Sequence, residues 1–258
     1  MDPLTFSLVI PARNEEAYLP RLLDTVEVAR QRYRGGPDSI EVIVADNVST
    51  DRTAQVALER GCRVARVEKR IIAAVRNGGA ALATREILAF VDADMQIHPE
   101  TFNEIEKKLA EGKTICGATG ARVERWSTGL LVTYAFLMIL VLTTNMDTGV
   151  VFCRRADFEA MGGYNEKLIL AEDVQFLWDM RRLGKKRGQK LSRATTAKAI
   201  ASVRKFDTFG QWHFLSQLPR AAYWKLFAPD RFVAFADKYW YGDGAKGDAG
   251  KINVRKDA

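Results

Sequence analysis

Short apolar runs alternate with amphipathic stretches through the first half of the chain. The runs FSLVI, IEVIVA, CRVARVE and EILAFV predict four β-strands, because short apolar runs bounded by turn signals are typical of buried strands. Apolar positions at helical spacing predict helices over 15–32, 53–60, 70–85 and 99–111, with the third interrupted by Asn-Gly-Gly at 77–79. This alternation predicts an α/β fold with a mostly parallel central sheet flanked by helices.

The second half has a less regular pattern. TICGATGARV and TGVVFCRR predict strands, 156–161 predicts a short helix that ends at a Gly-Gly pair, and another helix follows Asp173. The basic run over 181–193 is typical of a helix end followed by a solvated loop, although it would also suit a membrane-surface acceptor. Residues 212–227 predict an aromatic-rich helix, and the tail over 242–258 lacks an apolar period and is expected to be flexible.

The composition indicates one large globular unit with an appendage. The 258 residues are 47% apolar, which is enough to bury a substantial core. The net charge of +7 favours anionic partners, such as phosphorylated ligands, acidic membrane surfaces or nucleic acid, or reflects a solvated basic face. Cys62, Cys116 and Cys153 have neither metal-ligand nor disulfide spacing, so we expect reduced core residues and a cytoplasmic protein. MDPLTFSLVIP lacks a basic n-region, and we expect no secretory signal.

Residues 126–146 contain no charged side chain. A helix that spans a bilayer needs about 20 predominantly apolar residues, whereas the strongly apolar part here runs only from Leu130 to Leu142. A single span would also place Asp94 and Asp173 on opposite sides of the membrane. We therefore expect a buried helix, a homodimer face or a helix in the plane of a membrane surface.

Acidic residues follow the predicted strands, where parallel strands share one edge of the sheet. Asp46 follows IEVIVA, Asp92 and Asp94 follow ILAFV, and Glu172 with Asp173 opens the helix EDVQFLWDM. Ligands of open α/β sheets bind at this edge, and Asp92 and Asp94 would face the same way on an extended strand. Carboxylates gathered there repel one another unless a cation lies among them, and a divalent cation bound to a diphosphate would supply that charge. The pattern predicts a metal-dependent nucleotide site with one carboxylate left as a base.

Three further features bear on the chemistry of this site. Mg²⁺ or Mn²⁺ would suit its oxygen ligands, since no His or Cys cluster accompanies them. His98 is close enough in sequence to be a ligand, although a His before Pro at a helix start is more often a cap. Arg76 is a candidate contact for a diphosphate or nucleobase, or an exposed helix residue. Neither GxxxxGK[ST] nor GxGxxG occurs in the required context, which disfavours ATPase and dehydrogenase functions.

Longer segments of the chain resemble a known family. VIPARNEEAYLPRLL, VADNVSTDRT, RNGGAALA, FVDADM and TGVVFCRRADFEAMGGYNEKLILAEDVQFLWDMRRLGKKRG are similar, in order and spacing, to segments of the family 2 glycosyltransferases. The resemblance covers roughly residues 5–190. It implies the GT-A fold, which is Rossmann-like with a mostly parallel central sheet flanked by helices, here with a helical C-terminal extension. It also implies a nucleotide-sugar donor and an inverting transfer.

The resemblance implies a role for each acidic position. Asp94 would ligate Mn²⁺ or Mg²⁺, with Asp92 and His98 as further candidate ligands. Asp173 would be the general base, and Glu172 would support it or bind the acceptor. The residues implied to bind the nucleotide are Pro11, Ala12, Arg13, Glu15, Asp46, Arg76, Asp92 and Ala93.

The resemblance also has departures that concern the acceptor. Processive members carry Q-x-x-R-W, whereas QLPRAAYW has no Trp directly after Arg220, which disfavours processivity. DADMQIHPE is similar to the D-x-D-x-Q…HP of polyprenyl-phosphate sugar transferases, but Ile97 separates Gln96 from His98. A lipid-phosphate acceptor at a membrane surface therefore stays open.

These observations predict an inverting, metal-dependent glycosyltransferase that moves one sugar from a UDP- or GDP-sugar to the hydroxyl of a saccharide, small-molecule or lipid-linked acceptor. The alternatives are a polyprenyl-phosphate sugar transferase and, more remotely, a non-catalytic basic module that binds nucleic acid or membranes; for the enzyme we expect no nucleic-acid partner.

We expect a cytoplasmic protein, peripheral at the inner face of a membrane if it contacts one, and a homodimer if 126–146 is an interface. The predicted units are a catalytic domain (1–203, with a nucleotide-binding half 1–115 and an acceptor-binding half 116–203), a helical extension (204–241) and the tail (242–258).

Overall fold

A computed structural model describes residues 2–168, 171–212, 215–217 and 223. The strands are β1 Phe6–Ala12, β2 Ile40–Asp46, β3 Arg63–Arg66, β4 Ile87–Phe90, β5 Thr114–Ala118, β6 Ala121–Val123, β7 Val151–Arg154, β8 Lys190–Arg193 and β9 Ala199–Ala201. The helices are α1 Leu19–Arg32, α2 Thr53–Glu59, α3 Ile72–Ala81, α4 Thr101–Ala110, α5 Thr128–Thr144, α6 Arg155–Ala160, α7 Glu172–Lys186 and α8 Arg204–Phe209.

Seven strands form one sheet in the order β3-β2-β1-β4-β7-β5-β8. Neighbouring strands are parallel except β7, which runs antiparallel to both β4 and β5. A separate pair, β6 and β9, is also parallel. The predicted α/β class, a mostly parallel sheet flanked by helices, is confirmed.

Each face of the sheet is covered by its own apolar cluster. Leu8 and Ile10 of β1 pack on one side with Phe102 of α4. Val9, between them in sequence, packs on the other side in the cluster that contains Phe176 of α7. Because both faces are buried, the central strands read as continuous apolar runs. This explains why β1, β2 and β4 were predictable from the sequence.

Helix α3 is continuous, so the interruption predicted at 77–79 is wrong. A Cβ atom at Gly78 would lie 2.4 Å from Val67, and one at Gly79 would lie 2.4 Å from Val9. The two glycines therefore permit a close approach between α3 and the sheet and do not end the helix. This approach fixes the neighbouring Arg76 relative to the edge of the sheet.

Helices α1, α3 and α4 begin two to four residues later than their periodicity predicts. Helix α1 begins at Leu19, with Pro20 in its first turn, where a residue without an N–H is tolerated. Helix α4 begins at Thr101, because His98 holds the preceding turn: its Nδ1 accepts the Glu100 N–H at 3.1 Å, and its carbonyl accepts the Thr101 N–H at 3.0 Å. His98 thus holds the turn that precedes α4 through its side chain and its carbonyl.

Two strands of the second half were not predicted. The basic stretch that was expected to be a loop contains β8, in which Ser192 hydrogen-bonds Thr114 of β5 at 2.7 Å. Strand β9 has only three residues and pairs with β6. Strand β8 is too polar and β9 is too short to show a hydrophobic period, so their pairing partners determine them.

Helix α5 occupies most of the uncharged segment at 126–146. Leu130 and Thr133 are buried, but most of its large apolar side chains are exposed, so the buried-helix alternative is wrong for this helix. No helix among the described residues is long and apolar enough to cross a membrane. The exposed side chains are Leu131, Val132, Phe136, Leu137, Ile139 and Leu142.

The remaining predictions about chain organisation have mixed outcomes. All three cysteines are buried and unbonded, as predicted. Of the predicted C-terminal extension, α8 is described, whereas most of the helix predicted over 212–227 and the whole tail over 242–258 lie outside the described residues.

Glu41 is a partly buried acceptor at the opposite end of the sheet from the acidic edge. Its carboxylate accepts hydrogen bonds from the Ser7 hydroxyl at 2.7 Å, the Thr84 N–H at 2.6 Å and Arg63 at 2.8 Å. Burial alone would raise its pKa, but these hydrogen bonds outweigh burial and lower the pKa of Glu41 to about 2. The charged form therefore stabilises the folded state above the ordinary carboxyl pKa, and this stability is lost as the pH falls towards 2.

We expect Glu41→Gln to lower the free energy of unfolding by about 1–2 kcal/mol at pH 7, since the amide weakens hydrogen bonds to a charged acceptor. The difference from the wild type should shrink as the pH falls from 5 to 3, because the Glu41 carboxylate of the unfolded chain then takes up a proton, whereas that of the folded protein stays charged until the pH nears 2. Urea unfolding across this pH range measures the difference in the free energy of unfolding between the variant and the wild type. Glu59→Gln, at an exposed position, is the matched control, and an equal loss in both variants would contradict the prediction.

Candidate functional site

The carboxyl ends of β1 and β2 meet at one edge of the sheet. Ala12 lies opposite Asp46 in the parallel register of the two strands, and Pro11, Ala12 and Asp46 are all buried. The Asp46 carboxylate accepts the Ser49 N–H at 3.3 Å. Asp46 thus ends its strand, as predicted, and shapes the turn that follows.

The loop after β1 is fastened to the loop after β2. Asn14 adopts a left-handed conformation (φ 48°), and its N–H donates to the Ser49 hydroxyl at 2.9 Å. The Glu15 N–H donates to the Thr53 hydroxyl at 2.7 Å. These contacts hold Arg13 and Glu15 at the same edge as Asp46.

Asp92 and Asp94 lie in a turn and not on an extended strand. Strand β4 ends at Phe90, and the Met95 N–H donates to the Asp92 carbonyl at 3.1 Å, which reverses the chain around the buried Ala93. The expectation that Asp92 and Asp94 lie on an extended strand is therefore wrong. Each carboxylate pairs with a different arginine.

Arg76 links the turn after β4 to the start of α7. Its guanidinium donates to Glu172 at 2.6 Å and to Asp92 at 3.0 Å, and lies 5.3 Å from the ring centre of Tyr164. Only 12% of the Arg76 side chain and 10% of the Glu172 side chain are exposed, so this pair is shielded from solvent. We call Arg76, Asp92 and Glu172 the Arg76 cluster.

Asn77, the residue next to Arg76, holds the segment that covers this cluster. Its side-chain oxygen accepts the Tyr164 N–H at 2.9 Å, and its side-chain nitrogen donates to the Tyr164 carbonyl at 2.9 Å. The Tyr164 ring stacks on Phe176 of α7 with centroids 4.4 Å apart. Neither Asn77 nor Tyr164 was singled out from the sequence, although both belong to the segments that carry the resemblance, RNGG and GGY.

Helix α7 presents its first two residues to the site. Ala171 precedes it in a left-handed conformation (φ 62°), and the Asp173 carboxylate accepts the Val174 N–H at 2.8 Å. The positive end of the helix dipole favours carboxylates there. Burial raises the pKa of Glu172 and the nearby Asp173 adds to the effect, although the Arg76 guanidinium opposes both.

Arg204, the first residue of α8, lies in the same site. Its guanidinium makes two hydrogen bonds to Glu15, at 2.7 and 2.8 Å, and its Nε lies 3.0 Å from the Asp94 carboxylate. The ring of Tyr18 lies 4.7 Å from the guanidinium carbon. We call Arg204, Glu15 and Asp94 the Arg204 cluster.

Backbone pairing brings Arg204 to this position. Gln96, just after the Asp92–Asp94 turn, exchanges two backbone hydrogen bonds with Ile200 of β9, at 3.0 and 2.8 Å. Strand β9 therefore runs beside the turn, and the chain enters α8 next to Asp94. Sequence reasoning missed Arg204, because 110 residues separate it from Asp94 and no local pattern marks it.

The positive charge among the carboxylates comes from these arginines. The sequence predicted that a divalent cation would compensate them, whereas here Arg76 and Arg204 form the ion pairs with Asp92 and Asp94. Among the described residues, no group of three or more His, Cys, Asp or Glu side chains is placed to hold a metal ion.

The donor set nevertheless fits a hard divalent cation. Such ions often bind through one or two carboxylates and complete their shell with water and substrate phosphates. Asp92, whose side chain is 52% exposed, and Asp94 offer carboxylate oxygens of this kind. These two residues would hold the cation, with the remaining ligands from a bound diphosphate.

Comparison with known proteins agrees with this architecture. The family model described as Glycosyl transferase family 2 matches residues 7–154 of the 258-residue chain. The 4,4'-diaponeurosporenoate glycosyltransferase of Staphylococcus haemolyticus is 36% identical over 108 residues, 37% of this chain and 26% of that protein. The undecaprenyl-phosphate 4-deoxy-4-formamido-L-arabinose transferase of Pectobacterium carotovorum is 32% identical over 130 residues, 46% of this chain and 38% of that protein. The matched part thus spans less than half the length of either relative.

Solved structures share the fold at low sequence identity. The mannosyltransferase PcManGT of Pyrobaculum calidifontis, in complex with GDP-Man and Mn²⁺, superposes with a TM-score of 0.63 at 18% identity, over 95% of this chain and 76% of that one. TarS 1-349 of S. aureus superposes with a TM-score of 0.60 at 20% identity, over 92% of this chain and 69% of that one. These likenesses confirm the predicted GT-A fold. The family model matches more than half of this chain, and the chain therefore belongs to glycosyl transferase family 2.

Proposed function

We propose that the chain is an inverting, metal-dependent glycosyltransferase that moves one sugar from a UDP- or GDP-sugar to a hydroxyl acceptor, with Asp173 as the general base. One observation carries the proposal. Four carboxylates at the edge of the sheet are held by the Arg76 and Arg204 clusters, whereas Asp173 makes no ion pair within the described residues. A carboxylate of this kind can take a proton from an acceptor.

The nucleotide would lie along the edge that β1 and β2 form. Pro11, Ala12 and Asp46 lie at the strand ends, and the loop after β1, which carries Glu15, lies beside them. Mn²⁺ or Mg²⁺, when bound with the donor at Asp92 and Asp94, would stabilise the negative charge that develops on the leaving diphosphate. The protein's own task at this end is to orient the donor against fixed loops.

The acceptor would approach from the side of α7. Asp173 is partly exposed in the first turn of this helix, and Glu172 beside it is buried and bound to Arg76. Asp173 would take the proton of the acceptor hydroxyl as the new bond to the sugar forms, and the nucleoside diphosphate would leave from the opposite face. Glu172 would support the base by fixing the start of α7.

A second candidate keeps the same site and makes a polyprenyl phosphate the acceptor. Two observations favour it: α5 exposes a row of large apolar side chains, and one relative acts by its name on undecaprenyl phosphate. The protein would then work as a peripheral protein at a membrane surface. Transfer to detergent-solubilised polyprenyl phosphate, compared with transfer to a soluble alcohol, separates the two candidates.

A ligand screen by thermal shift tests the proposed function. With Mn²⁺ present, one nucleoside diphosphate and its nucleotide sugars should raise the melting temperature by about 3–6 °C, because they bind the folded state only. The corresponding nucleoside monophosphates, which lack the second phosphate, are the matched controls and should shift it less. The preferred nucleotide sugar should then be hydrolysed or transferred. No shift and no turnover with any donor, in Mn²⁺ or Mg²⁺, would sink the proposal.

A further inference from the structure

We propose that Arg204 is a built-in counter-ion of the donor site. Its guanidinium pairs with Asp94 at the position where a divalent cation would bind, and the cation must displace Arg204 from Asp94. The inference rests on the proposed function, because it concerns the same acidic site. It adds a competition between one residue of the C-terminal half of the chain and the metal.

The geometry of the guanidinium carries the first step. All three nitrogens of Arg204 are engaged by two carboxylates: the terminal pair by both oxygens of Glu15, and Nε by Asp94. The face of the guanidinium lies against Tyr18, 4.7 Å from the ring centre. Planar, two-pronged pairing of this kind is specific in direction as well as strong, so Arg204 is held in place and does not merely lie nearby.

Burial makes this pairing matter. The exposed fractions of the three side chains are 22% for Arg204, 20% for Asp94 and 11% for Glu15. Two carboxylates this shielded would repel each other strongly without a cation, since solvent screens them poorly. Arg204 therefore provides the charge compensation that the sequence assigned to a metal ion.

The same charges make Arg204 and a divalent cation exclude each other at Asp94. A cation ligated by Asp94 would bring two positive charges against the guanidinium in a shielded site, and the two cations would repel each other. Glu15 makes two of the three contacts, so release of Asp94 leaves Arg204 anchored in the site. Arg204 is thus a positioning residue that sets the affinity of the metal site.

Direct titration with Mn²⁺ tests the competition. The full chain, without nucleotide, is titrated with Mn²⁺, and the free ion is followed by electron paramagnetic resonance. Arg204→Met should bind Mn²⁺ about tenfold more tightly than the wild type, because it removes a partly buried competing charge. Asp94→Asn should abolish the gain when combined with Arg204→Met.

The matched control removes the same charge from an exposed pair. Arg125→Met breaks the pair that Arg125 forms with Asp207 of α8 and should leave the Mn²⁺ affinity within about twofold, because solvent screens it. Arg204→Gln retains a donor for Glu15 and replaces Arg204→Met if that variant does not fold.

The outcomes separate this inference from the proposed function. Unchanged or weaker Mn²⁺ binding in a folded Arg204 variant overturns the competition, as does a lack of Mn²⁺ binding in every form. The proposed transfer is judged independently, by turnover of nucleotide sugars. Tighter Mn²⁺ binding without any turnover would uphold the competition and refute the transfer.

Discussion

Replacing Asp173 by Asn should lower the rate of glycosyl transfer by about three orders of magnitude, which is the range that loss of a positioned general base typically causes. The melting temperature and the affinity for the nucleotide donor should stay close to those of the wild type. An amide of the same shape can still accept the Val174 N–H that the carboxylate accepts now. The change therefore removes the proton acceptor and leaves the start of α7 in place.

The expectation follows from how the acidic residues are divided. Asp92 and Glu172 are paired with Arg76, and Asp94 is paired with Arg204. Asp173 accepts one local backbone hydrogen bond and forms no ion pair among the residues that the structure describes. A carboxylate bound tightly to an arginine is a poor proton acceptor, because accepting a proton breaks the pair. Asp173 is therefore a better candidate base than Glu172.

Single-turnover kinetics with the preferred donor measure the effect. Asp179→Asn, on the same helix but paired with the exposed Arg182, is the matched control and should keep near-normal rates. Glu172→Gln should affect stability and donor binding as well as rate, since Glu172 supports Arg76. If Asp173→Asn retains most of the activity while Glu172→Gln loses it, the assignment of the base is wrong.

The first half of the fold could be predicted because its determinants are local. Strands β1, β2 and β4 are buried on both faces, so their side chains are apolar at nearly every position. Asp46 could be placed at a strand end because it follows such a run. The same reasoning failed at 77–79, where glycine serves the packing of α3 on the sheet and not a turn.

The features that were missed depend on contacts between distant residues. Strand β8 has a single large apolar residue, Leu191, and its place is set by pairing with β5. Arg204 reaches Asp94 only because β9 pairs beside the turn after β4. A predicted domain boundary between residues 203 and 204 follows composition, yet Arg204 contacts the site. Sequence patterns located the carboxylates and Arg76, whereas Arg204 and the pairing of both arginines with the carboxylates required the three-dimensional arrangement.

Replacing Arg76 by Met should lower the free energy of unfolding by about 3 kcal/mol at pH 7, because it leaves the buried Glu172 without its partner. Burial already raises the pKa of Glu172, and Arg76 opposes that rise. In the variant, the pKa of Glu172 should therefore rise further. An acid whose pKa is raised on folding favours the folded state at low pH, so the deficit should shrink as the pH falls towards the ordinary carboxyl range.

A double variant shows whether the unpaired charge is the cause of this loss. Arg76→Met combined with Glu172→Gln should recover most of the stability at pH 7, since no charge then stays buried alone, and it should remove the additional pH dependence. Urea unfolding between pH 5 and 8 measures both effects. Arg182→Met, which removes an exposed arginine of α7, should change stability by less than about 0.5 kcal/mol. If the double variant is no more stable than Arg76→Met, the packing of Arg76 against Tyr164 holds the site together and its charge does not.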